Sequence, residues 1–162
     1  MLVLGHLKRY NSNMIYTTTK PEETQKIASK FIEELLNFET EGARVVALEG
    51  ELGAGKTVFV QGLSRAFGIR NNIKSPTFVL MKNYDLPKGY TLYHLDCYRL
   101  KDEQDLIPLE ITEILSDPKN IVLIEWSERV ANILPKKYYR IHIDHIDEQT
   151  RKIEIELVKK QE

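Results

Sequence analysis

Apolar positions along the first third of the chain predict a helix, a strand and a second helix in that order. The first helix is indicated by apolar residues at helical spacing, namely Ile27, Ala28, Phe31 and Leu35. Thr19 followed by Glu22 predicts the cap at its start. The apolar run Arg44–Glu49 is typical of a strand that is buried on both faces. After a glycine-bounded loop, Lys56–Phe67 again has helical spacing and ends at Gly68.

The middle of the chain predicts further strands with one helical region between them. The strand-like runs Phe78–Tyr84 and Tyr90–Asp96 are separated by a Pro-Lys-Gly turn, and we expect them to form a hairpin. Residues 102–116 have a helical pattern, which Pro108 is expected to kink or split because proline removes a helical hydrogen bond. The apolar run Asn120–Glu125 predicts another buried strand.

The last part of the chain predicts a short helix followed by a β-hairpin. The helix is expected over Ser127–Leu134. Tyr138–Asp144 and Lys152–Val158 both alternate between apolar and polar residues, and turn-forming residues lie between them. Together these elements predict an α/β fold with antiparallel additions.

Length and composition add limits on the class of protein. With 162 residues the chain is the size of one ordinary domain. Lys and Arg number 23 and Asp and Glu number 24, so the net charge of −1 gives no global reason to bind nucleic acid. The single cysteine favours a reducing compartment. The longest apolar runs have only four residues, so we expect a soluble, cytoplasmic protein that does not span a membrane.

A phosphate-binding loop is the strongest motif in the sequence. It fits the pattern G-x-x-x-x-G-K-[ST] with the residues Gly50, Glu51, Leu52, Gly53, Ala54, Gly55, Lys56 and Thr57. Glycine lets the backbone N–H groups approach a polyphosphate, and the following helix presents its positive end to the same anion. In such loops the lysine contacts the β- and γ-phosphates and the hydroxyl contacts Mg²⁺. The sequence therefore predicts nucleotide binding.

Two carboxylates end apolar strands and are candidates to complete this site. Asp96 and Glu125 each follow a run of apolar residues, and ligands of open α/β sheets gather at the carboxyl ends of strands. The alternative is that each carboxylate caps the next helix. Ser75 and Thr77 could form a switch segment that senses the γ-phosphate, although a plain turn has the same pattern. His94 lies near Asp96 without metal-site spacing.

With this loop, the predicted fold becomes a P-loop NTPase-type, three-layer α/β domain. Parallel central strands would carry the site, and antiparallel additions would include the C-terminal β-hairpin. We expect a single ATPase domain over residues 14–162 and an N-terminal extension over residues 1–13, which lack a clear period.

Four motifs taken in order resemble the TsaE family. They are Gly50–Thr57, Ser75–Phe78, His94–Leu100 and Glu125–Glu128, and the resemblance extends from about residue 18 to residue 158. It implies a small P-loop ATPase, with ATP as substrate and Mg²⁺ as cofactor, that supports the threonylcarbamoylation of adenosine in tRNA. It also implies TsaB-like and TsaD-like partner proteins, weak hydrolysis without them, and indirect contact with tRNA through the complex.

The resemblance also implies residue roles. Thr57 and Glu125 would contact Mg²⁺, and Asp96 would be required for hydrolysis together with Glu125 and Lys56. Residues 50–58 would cradle the phosphates, which adds Val58 to the loop. Ser75 and Thr77 would form the switch-like segment, while Glu23 and Arg151 lie where the family's nucleotide-contacting chain ends are expected.

Other functions remain open on sequence grounds. A small-molecule kinase has a compatible size and loop, although no Arg-rich lid or acceptor-binding insertion is evident. A GTPase switch is disfavoured because the chain has no N-K-x-D segment. A nucleotide-gated binding module, in which ATP orders Ser75–Phe78 for docking, is the fourth candidate.

Overall fold

The computed structural model of the chain describes residues 13–70, 73, 74, 76 and 80–161. Its strands are β1 (Asn13–Thr18), β2 (Arg44–Glu49), β3 (Met81–Asp85), β4 (Thr91–Asp96), β5 (Asn120–Glu125), β6 (Lys137–His145) and β7 (Arg151–Lys159). Its helices are α1 (Pro21–Asn37), α2 (Lys56–Ala66) and α3 (Ile111–Ser116). Three 3₁₀ segments cover Pro87–Gly89, Glu103–Leu109 and Ser127–Ile133.

Seven strands form one mixed sheet in the order β1-β7-β6-β2-β5-β4-β3. The four central strands run parallel, because β2 pairs in parallel with β5 and β6, and β4 pairs in parallel with β5. Antiparallel strands extend both sides: β3 pairs with β4, and the β6–β7 hairpin is continued by β1. This arrangement confirms the predicted α/β fold with parallel central strands, antiparallel additions and a C-terminal hairpin.

Two hydrophobic clusters cover the two faces of the sheet. Helices α1 and α2 pack on one face, where Phe31, Leu35, Phe59 and Leu63 contact buried residues of β2, β5, β6 and β7. On the other face, Leu106, Ile111 and Val130 come from the 3₁₀ segments and α3. Residues of β2 alternate between the two clusters, with Val46 and Leu48 in the first and Val45 and Ala47 in the second. The three layers are therefore helix, sheet and helix.

Several predicted elements match the structure closely, and one helix start is displaced. The bounds of β2 and β5 are those predicted. The region around Pro108 is split into a 3₁₀ segment and α3, with Glu110 between them at φ 54°. The prediction of Thr19 as the cap of α1 is wrong by one residue. Lys20 is the N-cap, and the Glu23 carboxylate accepts hydrogen bonds from the backbone N–H groups of Thr19 (2.7 Å) and Lys20 (3.3 Å).

Two predictions concern the chain as a whole, namely the N-terminal extension and the lack of a membrane span. β1 begins at Asn13, and residues 1–12 lie outside the described residues, so the N-terminal extension stays a prediction. Among the residues that the structure describes, the helices are too short and too polar to cross a lipid bilayer.

Helices α1 and α2 approach each other closely at Gly62. A Cβ atom added there would lie 2.5 Å from the Gln25 carbonyl oxygen and 2.6 Å from the Gln25 Cα. The single Ser29 hydroxyl hydrogen is shared between the carbonyls of Gln25 (Oγ–O 2.9 Å) and Gly62 (Oγ–O 3.1 Å), which links the two helices at the same point. This contact fixes the position of α2, the helix that follows the phosphate-binding loop.

We expect Gly62→Ala to lower the free energy of unfolding by about 1–3 kcal/mol, because the added methyl group must displace the α1 backbone. The measurement is urea denaturation followed by circular dichroism. Helix propensity alone predicts the opposite sign, a gain of about 1 kcal/mol for Ala over Gly. An increase in stability would therefore show that the two helices can separate at this contact.

Candidate nucleotide-binding site

The loop between β2 and α2 has the backbone conformation that its glycines permit. Gly50, Gly53 and Gly55 have φ values of 137°, 75° and 112°, a region that favours glycine. A Cβ atom on Gly50 would lie 2.3 Å from the Ile143 carbonyl oxygen of β6, so any larger residue would collide with backbone. Because α2 begins at Lys56, its unpaired N–H groups face the loop. The loop and helix end can therefore hold an anion.

Lys56 is buried within this loop. Its Nζ donates hydrogen bonds to the carbonyls of Gly50 (2.5 Å) and Glu51 (2.8 Å) and lies 4.0 Å from the centre of the Trp126 ring. Burial lowers the pKa of Lys56, while the negative charges of Glu125, Glu128 and Asp96 oppose that shift. The ammonium group is thus hydrogen-bonded to carbonyl groups of the loop itself.

Glu125 lies at the centre of the candidate site. It ends β5, and the parallel registers align its Cα with Leu48 of β2 and Asp96 of β4. The residue is 2% exposed, and both carboxylate oxygens have partners. Thr57 Oγ1 lies 2.8 Å from Oε1, and His94 Nε2 lies 2.6 Å from Oε2. The structure therefore joins the end of β5 to the first turn of α2.

Asp96 lies beside Glu125 at the same edge of the sheet. It is 6% exposed, and its Oδ1 accepts a hydrogen bond from the Tyr98 N–H at 3.0 Å. The Tyr98 and Trp126 rings are 4.9 Å apart and form an aromatic wall next to the two carboxylates. Trp126 has φ 59° and ψ 42°, an uncommon conformation for a bulky residue. This backbone turns the chain sharply after Glu125.

Two cavities flank the loop. The first, of about 370 Å³, contains the predicted catalytic and metal-binding side chains and is lined by Leu52, Gly53, Gly55, Lys56, Thr57, Val58, Asp96, Tyr98, Glu125 and Trp126. The second, of about 240 Å³, is lined by Thr18, Lys20, Pro21, Thr24, Gly53, Ala54, Gly55, Val58, Gln149 and Arg151. Gly53, Gly55 and Val58 line both cavities, so a ligand on the loop could extend into either side.

The remaining predicted site residues occupy different places. Arg151 lines the second cavity, and its guanidinium donates to the carbonyls of Asp147 (3.1 Å), Glu148 (3.3 Å) and Thr150 (3.2 Å). Glu23 caps α1 and is absent from the lining of both cavities. Ser75 and Thr77 lie outside the described residues, so the switch-like segment stays a prediction.

Comparison with known proteins identifies the family. The family model for "Threonylcarbamoyl adenosine biosynthesis protein TsaE" matches residues 18–153 of the chain. The chain belongs to the TsaE family. The match includes the loop, both strand-end carboxylates and the second cavity, so the predicted family membership is confirmed.

Individual relatives support the assignment to the TsaE family. The chain is 40% identical to the tRNA threonylcarbamoyladenosine biosynthesis protein TsaE of Haemophilus influenzae over 130 residues, which are 80% of each protein. It is 35% identical to the Bacillus subtilis protein of the same name over 141 residues, 85% of this chain and 82% of that one. The crystal structure of B. subtilis YdiB has a TM-score of 0.66 and 27% identity, covering 94% of this chain and 89% of that chain.

Sequence reasoning missed the contact of His94 with Glu125 in this TsaE-family site. His94 and Asp96 are two residues apart on β4 and therefore share a face, which is the only sequence signal for His94. Its proximity to Glu125 depends on the parallel register of β4 with β5, and an alternating pattern does not specify that register. Trp126, the residue after Glu125, lines the first cavity.

A second polar cluster lies on the opposite sheet face, immediately before the loop. His142 Nε2 is 2.9 Å from Asp144 Oδ1, and its Nδ1 is 3.4 Å from Glu49 Oε2. Burial disfavours the charged imidazole, but the hydrogen bonds and charges of Asp144 and Glu49 outweigh burial and raise the pKa of His142. His142 thus connects β6 to the residue that precedes Gly50.

We expect this contact to stabilise the protein more at low pH than at high pH. Because the pKa of His142 is raised in the folded state, the contact gives its full stabilisation below the unfolded pKa of about 6.5. That stabilisation is lost as the pH rises through the folded pKa. His142→Gln should therefore lower the free energy of unfolding at about pH 6, by at most about 1 kcal/mol because the contact is half-exposed, and much less at about pH 9.

The measurement is urea denaturation of both proteins at the two pH values. His145→Gln is the matched control, because the His145 ring lies 3.5 Å from the Leu52 carbonyl rather than between carboxylates. An equal loss of stability by His142→Gln at both pH values would show that protonation of His142 does not contribute.

Proposed function

We propose that the chain binds ATP and hydrolyses it with the help of Mg²⁺, as a weak ATPase that supports the biosynthesis of threonylcarbamoyladenosine in tRNA. The observation that carries the proposal is the convergence of Lys56, Thr57, Asp96 and Glu125 on one cavity beside the phosphate-binding loop. The names of the relatives supply the pathway, since they are tRNA threonylcarbamoyladenosine biosynthesis proteins.

Phosphate binding would fall to the loop and to Lys56. The backbone N–H groups of the loop and of the first turn of α2 would donate to the phosphate oxygens. The Lys56 ammonium would exchange its hydrogen bonds to the Gly50 and Glu51 carbonyls for contacts with phosphate. Because the site is largely buried, these charge-assisted hydrogen bonds would be stronger than in water.

The side chains present fit a magnesium site. Thr57 Oγ1 and Glu125 Oε1 are adjacent oxygen atoms, and Mg²⁺ prefers oxygen ligands, usually one or two from protein with the rest from water and phosphate. This ligand number agrees with the described residues, which contain no group of three or more His, Cys, Asp or Glu suited to a metal. When bound, Mg²⁺ would neutralise charge on the β- and γ-phosphates.

Asp96 is the candidate to act on the attacking water. Its buried carboxylate lies next to Glu125 and lines the same cavity. The hydrogen bond from the Tyr98 N–H to its Oδ1 holds the carboxylate in place beside the cavity. We assign Asp96 the role of orienting that water and accepting its proton.

The composition of the cavity supports weak hydrolysis without partners. In the described part of the chain, Lys56 is the only basic side chain that lines this cavity. Fast phosphoryl transfer commonly requires a second cation, such as an arginine finger, at the transition state. We therefore propose that TsaB-like and TsaD-like proteins complete or reorganise the site, and that contact with tRNA occurs through that complex.

A nucleotide-gated binding module is the second candidate, and one exposed residue favours it. Leu52, at the tip of the loop, is 70% exposed although it is apolar and lines the first cavity. A partner that contacts Leu52 would sense whether the loop holds a nucleotide. Comparing partner affinity with ATP, with ADP and with a non-hydrolysable analogue would separate gating from hydrolysis.

We expect Lys56→Ala to weaken nucleotide affinity about 10- to 100-fold, since a charge-assisted contact with phosphate is lost. Thr57→Ala and Glu125→Gln should reduce Mg²⁺-dependent affinity and hydrolysis by a similar factor. Calorimetry with and without Mg²⁺, together with phosphate release, measures both effects. Lys30→Ala, at an exposed position of α1, is the control. Unchanged binding and hydrolysis in Lys56→Ala and Thr57→Ala would refute the site assignment.

We also expect ATP hydrolysis to rise at least about tenfold when TsaB-like and TsaD-like proteins are added, because they would supply the missing transition-state contacts. Phosphate release with and without the partners is the measurement, and co-purification with and without ATP tests the complex. Rapid turnover without partners would contradict the proposal. Transfer of the γ-phosphate to a small metabolite instead of water would indicate a kinase.

A further inference from the structure

His94 contacts the candidate site from inside the protein core. It lies on β4, its residue exposure is 0%, and its Nε2 is 2.6 Å from Glu125 Oε2. With Glu125 ionised, Nε2 must carry the hydrogen and donate it, because a carboxylate can only accept. The other ring nitrogen, Nδ1, is buried and has no hydrogen-bond partner among the residues that the structure describes. Glu125 is therefore held at Oε2 by His94 and at Oε1 by Thr57.

Packing alone does not explain an imidazole at this position. Leu92 precedes His94 on the same face of β4, and the Cα partner of His94 on β5 is Leu123. Both leucines are fully buried in the cluster beneath α1 and α2. An apolar residue at position 94 would suit these neighbours and would leave no unpaired nitrogen. Within the described part of the chain, the one polar contact of His94 is with Glu125, so we look for its role there.

We propose that His94 is a positioning residue that fixes the side-chain orientation of Glu125. By donating to Oε2, His94 directs Oε1 towards Thr57 and leaves that oxygen as the single carboxylate contact for a cation. This inference rests on the proposed function, in which Glu125 and Thr57 contact Mg²⁺.

The same contact gives a basis for choosing among divalent cations. Mg²⁺ requires compact octahedral coordination, whereas the larger Ca²⁺ readily accepts a bidentate carboxylate. With Oε2 bonded to His94, Glu125 offers one oxygen and disfavours the bidentate mode. Loss of the His94 donor would free Oε2, which would weaken the preference for Mg²⁺ over Ca²⁺.

Three substitutions separate the hydrogen bond from the shape of the side chain. His94→Leu removes the donor and keeps an apolar core. His94→Gln places an amide N–H near the position of Nε2 and should restore the donor. His94→Asn is polar, but its amide is too short to reach Glu125 and should behave like His94→Leu. Circular dichroism and thermal unfolding establish that each variant is folded.

The measurement is ADP affinity in the full chain with EDTA, with Mg²⁺ and with Ca²⁺. Trp126 is the single tryptophan and lies next to Lys56, so its fluorescence reports binding, and calorimetry confirms it. We expect affinity in EDTA to change less than twofold in all variants. The gain in affinity from Mg²⁺ should fall at least tenfold in His94→Leu and His94→Asn and less than threefold in His94→Gln. The Ca²⁺-to-Mg²⁺ affinity ratio should rise in His94→Leu.

Two results would overturn the inference and leave the proposed metal site in place. A full Mg²⁺ gain in His94→Leu and His94→Asn would show that Glu125 is oriented without His94. Equal losses of affinity in EDTA and in Mg²⁺ would assign His94 a purely structural role. If His94→Leu is unfolded, His94→Asn and His94→Gln decide between these outcomes. If Mg²⁺ does not raise the ADP affinity of the unsubstituted protein, the proposed metal site is refuted together with the inference. The same holds if Glu125→Gln leaves the gain in affinity from Mg²⁺ unchanged.

Discussion

The site depends on the parallel register of β2, β5 and β4. Leu48 and Asp96 are both Cα partners of Glu125, so the residues just before the loop and the two carboxylates end at one edge of the sheet. A shift of one residue in either pair would turn the side chains to the opposite face, away from α2. Because β2 and β5 are buried on both faces, the ladder between them lies inside the core, and Glu125 stands at its end. The packing of these strands in the core therefore also positions the side chains of the candidate site.

The loop is then fixed by close backbone contacts on two sides. Gly50 approaches the Ile143 carbonyl of β6, and Gly62 holds α2 against α1. These contacts leave little freedom at the loop, so the buried polar groups must find partners within reach. Lys56, Thr57, Glu125 and His94 satisfy one another or the loop carbonyls, apart from His94 Nδ1. A buried nitrogen without a partner costs about 1–3 kcal/mol.

The sequence was informative wherever local pattern and structure coincide. Continuous apolar runs predicted β2 and β5 to the residue, and the glycine spacing predicted the loop. The edge strand β1 escaped prediction because it is half-exposed and is defined by its pairing with β7. The contact of His94 with Glu125 joins residues 31 positions apart and requires the strand order. The sequence thus predicted which residue types form the candidate site. Which of these side chains contact one another became clear only from the sheet topology.

The contacts of Lys56 within the protein suggest how a small, nearly neutral domain can act within a tRNA pathway. Its ammonium donates to the loop carbonyls and lies over the Trp126 ring, so in the proposed function a phosphate would replace these contacts. Such an exchange would take place in the cavity that Leu52 and Trp126 also line. A partner that contacts this rim would sense the nucleotide directly. The domain would then need no RNA-binding charge of its own, in agreement with its net charge of −1.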